Sequence, residues 1–320
     1  MKKAIVLSTI ACLFISDASF ADTFAEGTAN EFEIEFVEIF SATNPTSGYG
    51  IVNNDYRMGT YEITNDQWNK FKNDYGAVSG NPSGAYNSTP IGNGAGINMP
   101  TNMVSWYEAA QFVNWLNTSN GYQAAYNFTG TQGQSDYTFN VWDVTQTDGT
   151  NLYRHKDTHY FLPTEDEWVK AAYWNGANLQ TYSNASAADL ISGSPDPAKW
   201  NYNPLASNLY DVSIVGSGIE ELNGTYDMMG NVWEWTESPY IPGHYTPSSD
   251  RGVRGGSCMT PDFSLSSSYR NPYGQADHED MTRGFRVASV PEPTTLVLLG
   301  MGGVLIRKRS SPSKRSMVRC

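Results

Sequence analysis

Cysteine is almost missing from this 320-residue chain, whose three are Cys12, Cys258 and Cys320. The first lies in an apolar leader and the last at the C-terminus, so the body of the chain holds Cys258 alone. A lone thiol excludes an intramolecular disulfide and a two-thiolate metal site. Long apolar runs are missing too. Ala4 to Ile15 and Leu296 to Ile306 both fall short of the roughly 20 residues that a membrane-spanning helix needs. Positive charge is scarce: without residues 1–21 and 291–320, 12 Lys and Arg face 31 Asp and Glu, a net charge near −19. A surface of that sign repels nucleic acid and anionic headgroups and suits divalent cations. There is no glycine-rich phosphate loop and no Ser-His-Asp signature, and carboxylates are too numerous to single out one acid/base pair.

Aromatic residues are plentiful: 20 Tyr, 13 Phe and 9 Trp predict a core of large rings held between loops rich in Gly and Asn. Three segments carry the same helix-start signal. Thr64 to Gln67, Ser105 to Glu108 and Thr164 to Glu167 each place a hydroxyl three residues before Glu or Gln, ahead of apolar residues at helical spacing. Alternation at Phe32, Ile34 and Phe36 predicts an early strand. Residues 80–96, 130–149 and 183–204, rich in Gly, Asn, Ser and Pro, read as turns and loops.

The ends read as address labels. Lys2 and Lys3, the apolar run to Ile15 and the small residues Ser19 and Ala21 form a secretory signal over 1–21, cleaved after Ala21; a buried N-terminal helix is the alternative. At the other end, Pro291-Glu292-Pro293 is followed by the apolar stretch and then by Arg307-Lys308-Arg309. This order over 291–320 resembles the PEP-CTERM sorting signal read by exosortases in Gram-negative bacteria. It implies signal peptidase and exosortase-type machinery as partners, with transient membrane anchoring before release to the periplasm, outer surface or extracellular matrix. A plain C-terminal anchor is the alternative.

Between these labels, six blocks occur in order. They are Met58 to Asn65, Pro100 to Leu116, Phe161 to Trp168, Asp227 to Trp235, Arg254 to Ser257 and Gly284 to Ala288. Together they resemble the formylglycine-generating enzyme, or sulfatase-modifying factor, family. The resemblance implies a single α+β domain over 22–290, loop-rich and C-type-lectin-like, with little regular secondary structure.

The same blocks suggest sites. Glu234 supplies a hard oxygen, and the Gly230 and Val232 carbonyls can add more, which is what calcium requires. In the family this block is a calcium site, matched here by Met229, Gly230, Val232 and Glu234. The alternative is that Glu234 pairs with an arginine such as Arg286. A second family calcium site has its nearest counterparts in Asn201, Tyr202, Asp211 and Ser213, although an Asn/Asp-rich loop explains those residues equally. The family's oxidase holds Cu(I) on two cysteines and converts a substrate cysteine to formylglycine. Ser257 matches its serine, but the cysteine positions fall on Thr260 and Leu265. Neither ligates Cu(I), so copper is not expected. Cys258 reads as a small buried hydrophobe; Ser257 and Cys258 are the remaining catalytic candidates. His155 and His159 have metal-ligand spacing only on a helix, and their surroundings read as a strand.

These features favour an exported, non-catalytic module that binds an extracellular polysaccharide or peptide, with calcium as the stabilising ion that the resemblance implies. An oxidase or other enzyme of the family with a non-standard site is the alternative, and a protein-maturation partner is a third reading.

Overall fold

The computed structural model describes residues 20–88, 96–183, 191–192, 196, 199–203 and 211–291. The body of the leader and the apolar and basic parts of the sorting segment lie outside the described residues. Among the described residues no helix is long and apolar enough to cross a membrane.

Each sequence-predicted helix starts at its cap. Helices α1 (Asn65–Tyr75), α2 (Trp106–Ser119) and α3 (Glu165–Tyr173) follow Thr64, Ser105 and Thr164, and all three capping boxes are closed in both directions. Such a cap satisfies two orphan backbone donors and contributes about 1 kcal/mol. Helix α2 buries every residue from Trp106 to Asn117, so it is a central rod and not a surface helix.

Among the described residues ten short strands accompany the helices: β1 (Phe20–Phe24), β2 (Phe32–Ile39), β3 (Tyr56–Gly59), β4 (Asn127–Thr129), β5 (Thr138–Asn140), β6 (Tyr160–Phe161), β7 (Trp233–Pro239), β8 (Arg251–Arg254), β9 (Arg283–Gly284) and β10 (Ala288–Ser289). The expected early strand is β2, whose inward Phe32, Ile34 and Phe36 alternate with exposed residues. One antiparallel sheet has the order β1-β2-β3-β10-β6, which places the last strand in the chain between β3 and the edge strand β6. Strand β1 begins at Phe20, so cleavage after Ala21 would shorten it but leave Asp22 to Phe24 paired with β2. A second sheet has the order β8-β7-β9, with β7 and β9 parallel. Strands β4 and β5 form a separate pair; β5 lies inside 130–149, where only loop was expected.

The core is aromatic, as the composition predicts. Trp68, Trp106, Trp168 and Trp235 are fully buried. Trp68 and Phe71 of α1 pack against Phe112 of α2 at ring separations of 5.8 and 5.1 Å. The interior is also ionic: Arg57 pairs with Asp22, Arg154 with Glu167 and Glu237, and Arg254 and Arg270 both pair with Glu165. Most of these pairs cross between elements distant in sequence and fasten loops that have few ladder hydrogen bonds.

Candidate functional site

The Asp227–Trp235 block makes a sharp turn before entering β7. Gly230 and Asn231 both have left-handed backbones, at φ 98° and 57°. A Cβ on Gly230 would lie 2.3 Å from the Asn201 carbonyl, so both its φ and this close approach require glycine. The approach lets Asn231 N–H donate to Asn201 O at 2.7 Å.

Asn231 is a hub. Its Oδ1 accepts from Asn201 Nδ2 at 3.0 Å and from Ser213 N–H at 2.8 Å. Its Nδ2 donates to Glu62 Oε1 at 3.1 Å and Ser213 O at 3.3 Å, and its carbonyl accepts from Cys258 N–H at 2.9 Å. Asn201 Nδ2 also reaches the Asp211 carbonyl at 3.0 Å, and the Asp211 side chain is exposed beside it. Thus Asn201, Asp211, Ser213 and the Gly230 turn, taken from two separate motifs, meet at one node. Tyr202 follows Asn201, and its carbonyl accepts from Ser192 Oγ at 2.6 Å.

Glu234 belongs elsewhere. Its two carboxylate oxygens accept from Arg286 Nε and Nη2, each at 2.7 Å, and Oε2 also accepts from the Trp168 indole at 2.8 Å. Glu234 and Arg286 are wholly buried. Of the two readings of Glu234, this geometry is the arginine pair. A carboxylate already neutralised and hydrogen-bonded in this way does not fit as a calcium ligand. The Met229 amide is engaged by Glu221 at 3.0 Å, and Val232 packs on Cys258. The oxygens at the Asn231 node are neutral carbonyls and amides with the exposed Asp211 carboxylate alongside, the type of ligand a hard cation takes, although Asn231 Oδ1 already accepts two hydrogen bonds.

Sequence reasoning missed what surrounds Arg286. Glu62, Glu221 and Asp227 are buried within its electrostatic reach, together with Glu234. Burial, with Asp227 next, raises the Glu62 carboxyl well above its usual range. Burial does the same to Glu221, whose oxygens receive the Met228 and Met229 amides. Burial lifts Asp227 to about 6, against the pull of the Gly216 amide at 2.6 Å. Glu62 Oε2 is buried without a hydrogen-bond partner. One guanidinium thus faces four carboxylates, and burial favours the protonated form of Glu62, Glu221 and Asp227. Beyond the Glu234–Arg286 pair itself, Glu62 and Asp227 sit inside the recognisable blocks and Glu221 does not.

The two positions matched to the oxidase cysteines do converge. A Cβ built on Gly256 would sit 2.4 Å from a Leu265 methyl and 3.1 Å from Thr260 Oγ1. Leu265 is wholly buried, and Thr260 Oγ1 accepts from Ser257 N–H at 2.8 Å. The Ser257 side chain is buried, and its Oγ accepts from Met259 N–H at 3.3 Å. Cys258 is sealed against Val212 and Val232, and burial pushes its thiol up to about 12. It is therefore a protonated thiol at physiological pH and a poor nucleophile.

The histidines separate. His155 packs edge-on to Trp142, whereas His159 stacks on Tyr122 at 4.5 Å. Among the described residues no group of three or more His, Cys, Asp or Glu side chains is arranged to hold a metal.

Comparison with known proteins agrees with this architecture. The sulfatase-modifying factor enzyme 1-like domain family matches residues 21–290. The chain belongs to that family. A PEP-CTERM protein-sorting motif covers residues 289–310, marking the protein for export to the cell envelope or beyond through exosortase-type processing. Chaperone protein LppX of Paenibacillus barcinonensis is 29% identical over 205 residues, which are 59% of this chain and 65% of that relative's length. Among solved structures, Treponema denticola variable protein 1 superposes with a TM-score of 0.57 at 20% identity, covering 85% of this chain and 99% of that one. CarF gives 0.56 at 20% identity, covering 81% and 99%. These two likenesses establish the fold.

Proposed function

We propose that this exported family member is a non-catalytic binding module that contacts an extracellular polysaccharide or peptide. The observation that carries the reading is the pair of positions around Gly256. Threonine and a core leucine meet where the resemblance puts two copper-binding cysteines, and the nearby thiol, Cys258, is buried and protonated. Cu(I) requires soft thiolates, and neither side chain supplies one. The test is to load the purified protein with Cu(I) without oxygen, then add oxygen and a sulfatase-type cysteine peptide. Mass spectrometry is expected to find no aldehyde. An aldehyde would overturn the reading.

Calcium is part of the proposal, at the Asn231 node and not at Glu234. Asn201, Asp211 and Ser213 would hold it, and its role would be to tie their segments to the Gly230 turn. We place transient membrane retention with the C-terminal apolar segment, before cleavage near Pro291.

The name of the Paenibacillus relative favours a second reading, a protein-handling partner for other exported proteins. Suppression of client aggregation at equimolar ratio, with no binding on glycan arrays, would favour that reading over the first.

A further inference from the structure

Residues 271–278 are fastened to the fold through their backbone, while Pro272, Tyr273, Gln275, Asp277 and His278 are exposed. Arg251 N–H of β8 donates to Gly274 O at 2.7 Å, and Trp106 N–H at the start of α2 donates to Ala276 O at 3.0 Å. Asn271 Oδ1 accepts from Tyr273 N–H at 2.9 Å. A Cβ on Gly274 would lie 2.0 Å from the Arg251 carbonyl, so only glycine permits this close approach. Exposure alternates as a result: Gly274 and Ala276 are buried, whereas Tyr273, Gln275 and Asp277 project outward, Tyr273 being 66% exposed.

Two depressions, of about 300 and 460 Å³, share Gln275 and Asp277 as a common wall. The first is floored by Phe139 and Tyr107, whose hydroxyl is tied to the Pro247 carbonyl at 2.8 Å, and is edged by Asn81 and Asp250. The second is bordered by Tyr273 and His278. Beneath the floor, the buried Arg251 guanidinium stacks on Trp106 and Tyr153 at 4.2 and 4.0 Å, which stiffens the aromatic layer. No Lys or Arg lines either depression, and Asp250 and Asp277 make the groove electronegative.

We propose that this groove is a saccharide-binding site for uncharged or amino-bearing sugars. The proposal rests on the binding-module reading above and specifies its ligand. An exposed, backbone-anchored tyrosine offers a flat face to the C–H side of a sugar ring. A neighbouring amide and carboxylates offer acceptors and donors to its hydroxyls, and the carboxylates favour an amino group. The same carboxylates repel uronate and sulfate. Because the backbone is already pinned, little conformational entropy is lost on binding.

The test uses the purified protein on glycan and peptide arrays, followed by titration of any hit, with Tyr273→Ala, Tyr273→Phe, Asp277→Asn and a surface control that lines neither depression, Ile241→Ala. All of these positions are exposed, and melting temperatures check that each variant folds. The expected result is binding to neutral or amino sugars and none to acidic polysaccharides. Tyr273→Ala should weaken binding about tenfold, as loss of one aromatic contact implies. Tyr273→Phe and Ile241→Ala should leave it unchanged, and Asp277→Asn should weaken amino sugars most. Glycan binding that survives Tyr273→Ala and Asp277→Asn would overturn the groove while leaving the binding-module reading intact. Binding to peptides alone would overturn the saccharide and leave that reading intact. Silence on both arrays would overturn both.

Discussion

Replacing Arg286 with methionine tests the ionic core most directly. Arg286 makes five hydrogen bonds, all inside the protein: two to Glu234, one each to the Gly59 and Thr60 carbonyls, and one to the Tyr226 carbonyl. Methionine fills part of the volume but removes all five donors; Trp168 still serves Glu234 Oε2 and Tyr226 N–H still serves the Thr60 carbonyl, but Glu234 is left buried without its counter-charge. Breaking a buried pair by removing one partner costs roughly 3–5 kcal/mol. At roughly 2–4 °C per kcal/mol for a domain of this size, that is a fall of about 10 °C in melting temperature. Thermal denaturation followed by circular dichroism, with calcium and with a chelator, reads the effect. The loss should be the same in both conditions, because Arg286 and not a metal ion neutralises Glu234. A fall of under about 1 kcal/mol, in the surface-pair range, would refute the argument, as would a variant rescued by calcium.

Asp227→Asn should stabilise the protein near pH 7.5. The folded carboxyl is lifted from its ordinary value to about 6, so above that pH the fold must carry a charge it disfavours. This destabilisation fades as pH falls through 6 and is gone below the unfolded value. Melting temperatures should show a gain on the order of 2–3 kcal/mol at pH 7.5 that vanishes near pH 4; a constant difference across that range would rule out titration of Asp227. Ending the chain at Val290 should leave melting unchanged. Ending it at Val287 removes β10 from between β3 and β6, and with it the Ser289 Oγ that accepts from Arg57 Nε at 2.8 Å, so the truncated protein should melt early or fail to fold. Chelation of calcium should lower the melting temperature of the wild type and have less effect on Asp211→Ala. Equal shifts would remove Asp211 from the proposed site, and the absence of any shift would remove calcium.

The parts of this protein that were legible in the sequence are those whose causes are local. Each capping box lies within four residues, so Thr64, Ser105 and Thr164 announced their helices unaided. The alternation of Phe32, Ile34 and Phe36 likewise marked β2, and the six ordered blocks pointed to the fold. The lack of a thiol pair was also plain from composition, because no fold can create a cysteine. Tertiary structure alone decided the partners. Glu234 could have faced a cation or an arginine; the parallel pairing of β7 with β9 and the path onward to Arg286 brought a guanidinium within 2.7 Å. Glu62 and Asn231 meet across 169 residues, and nothing in the neighbourhood of either specifies the other. The exposure of Tyr273 depends on Gly274 pressing against β8, a contact between separate segments. Hydrogen bonds within a turn follow from adjacent residues, whereas burial and charge pairing depend on which distant surfaces the packed core brings together.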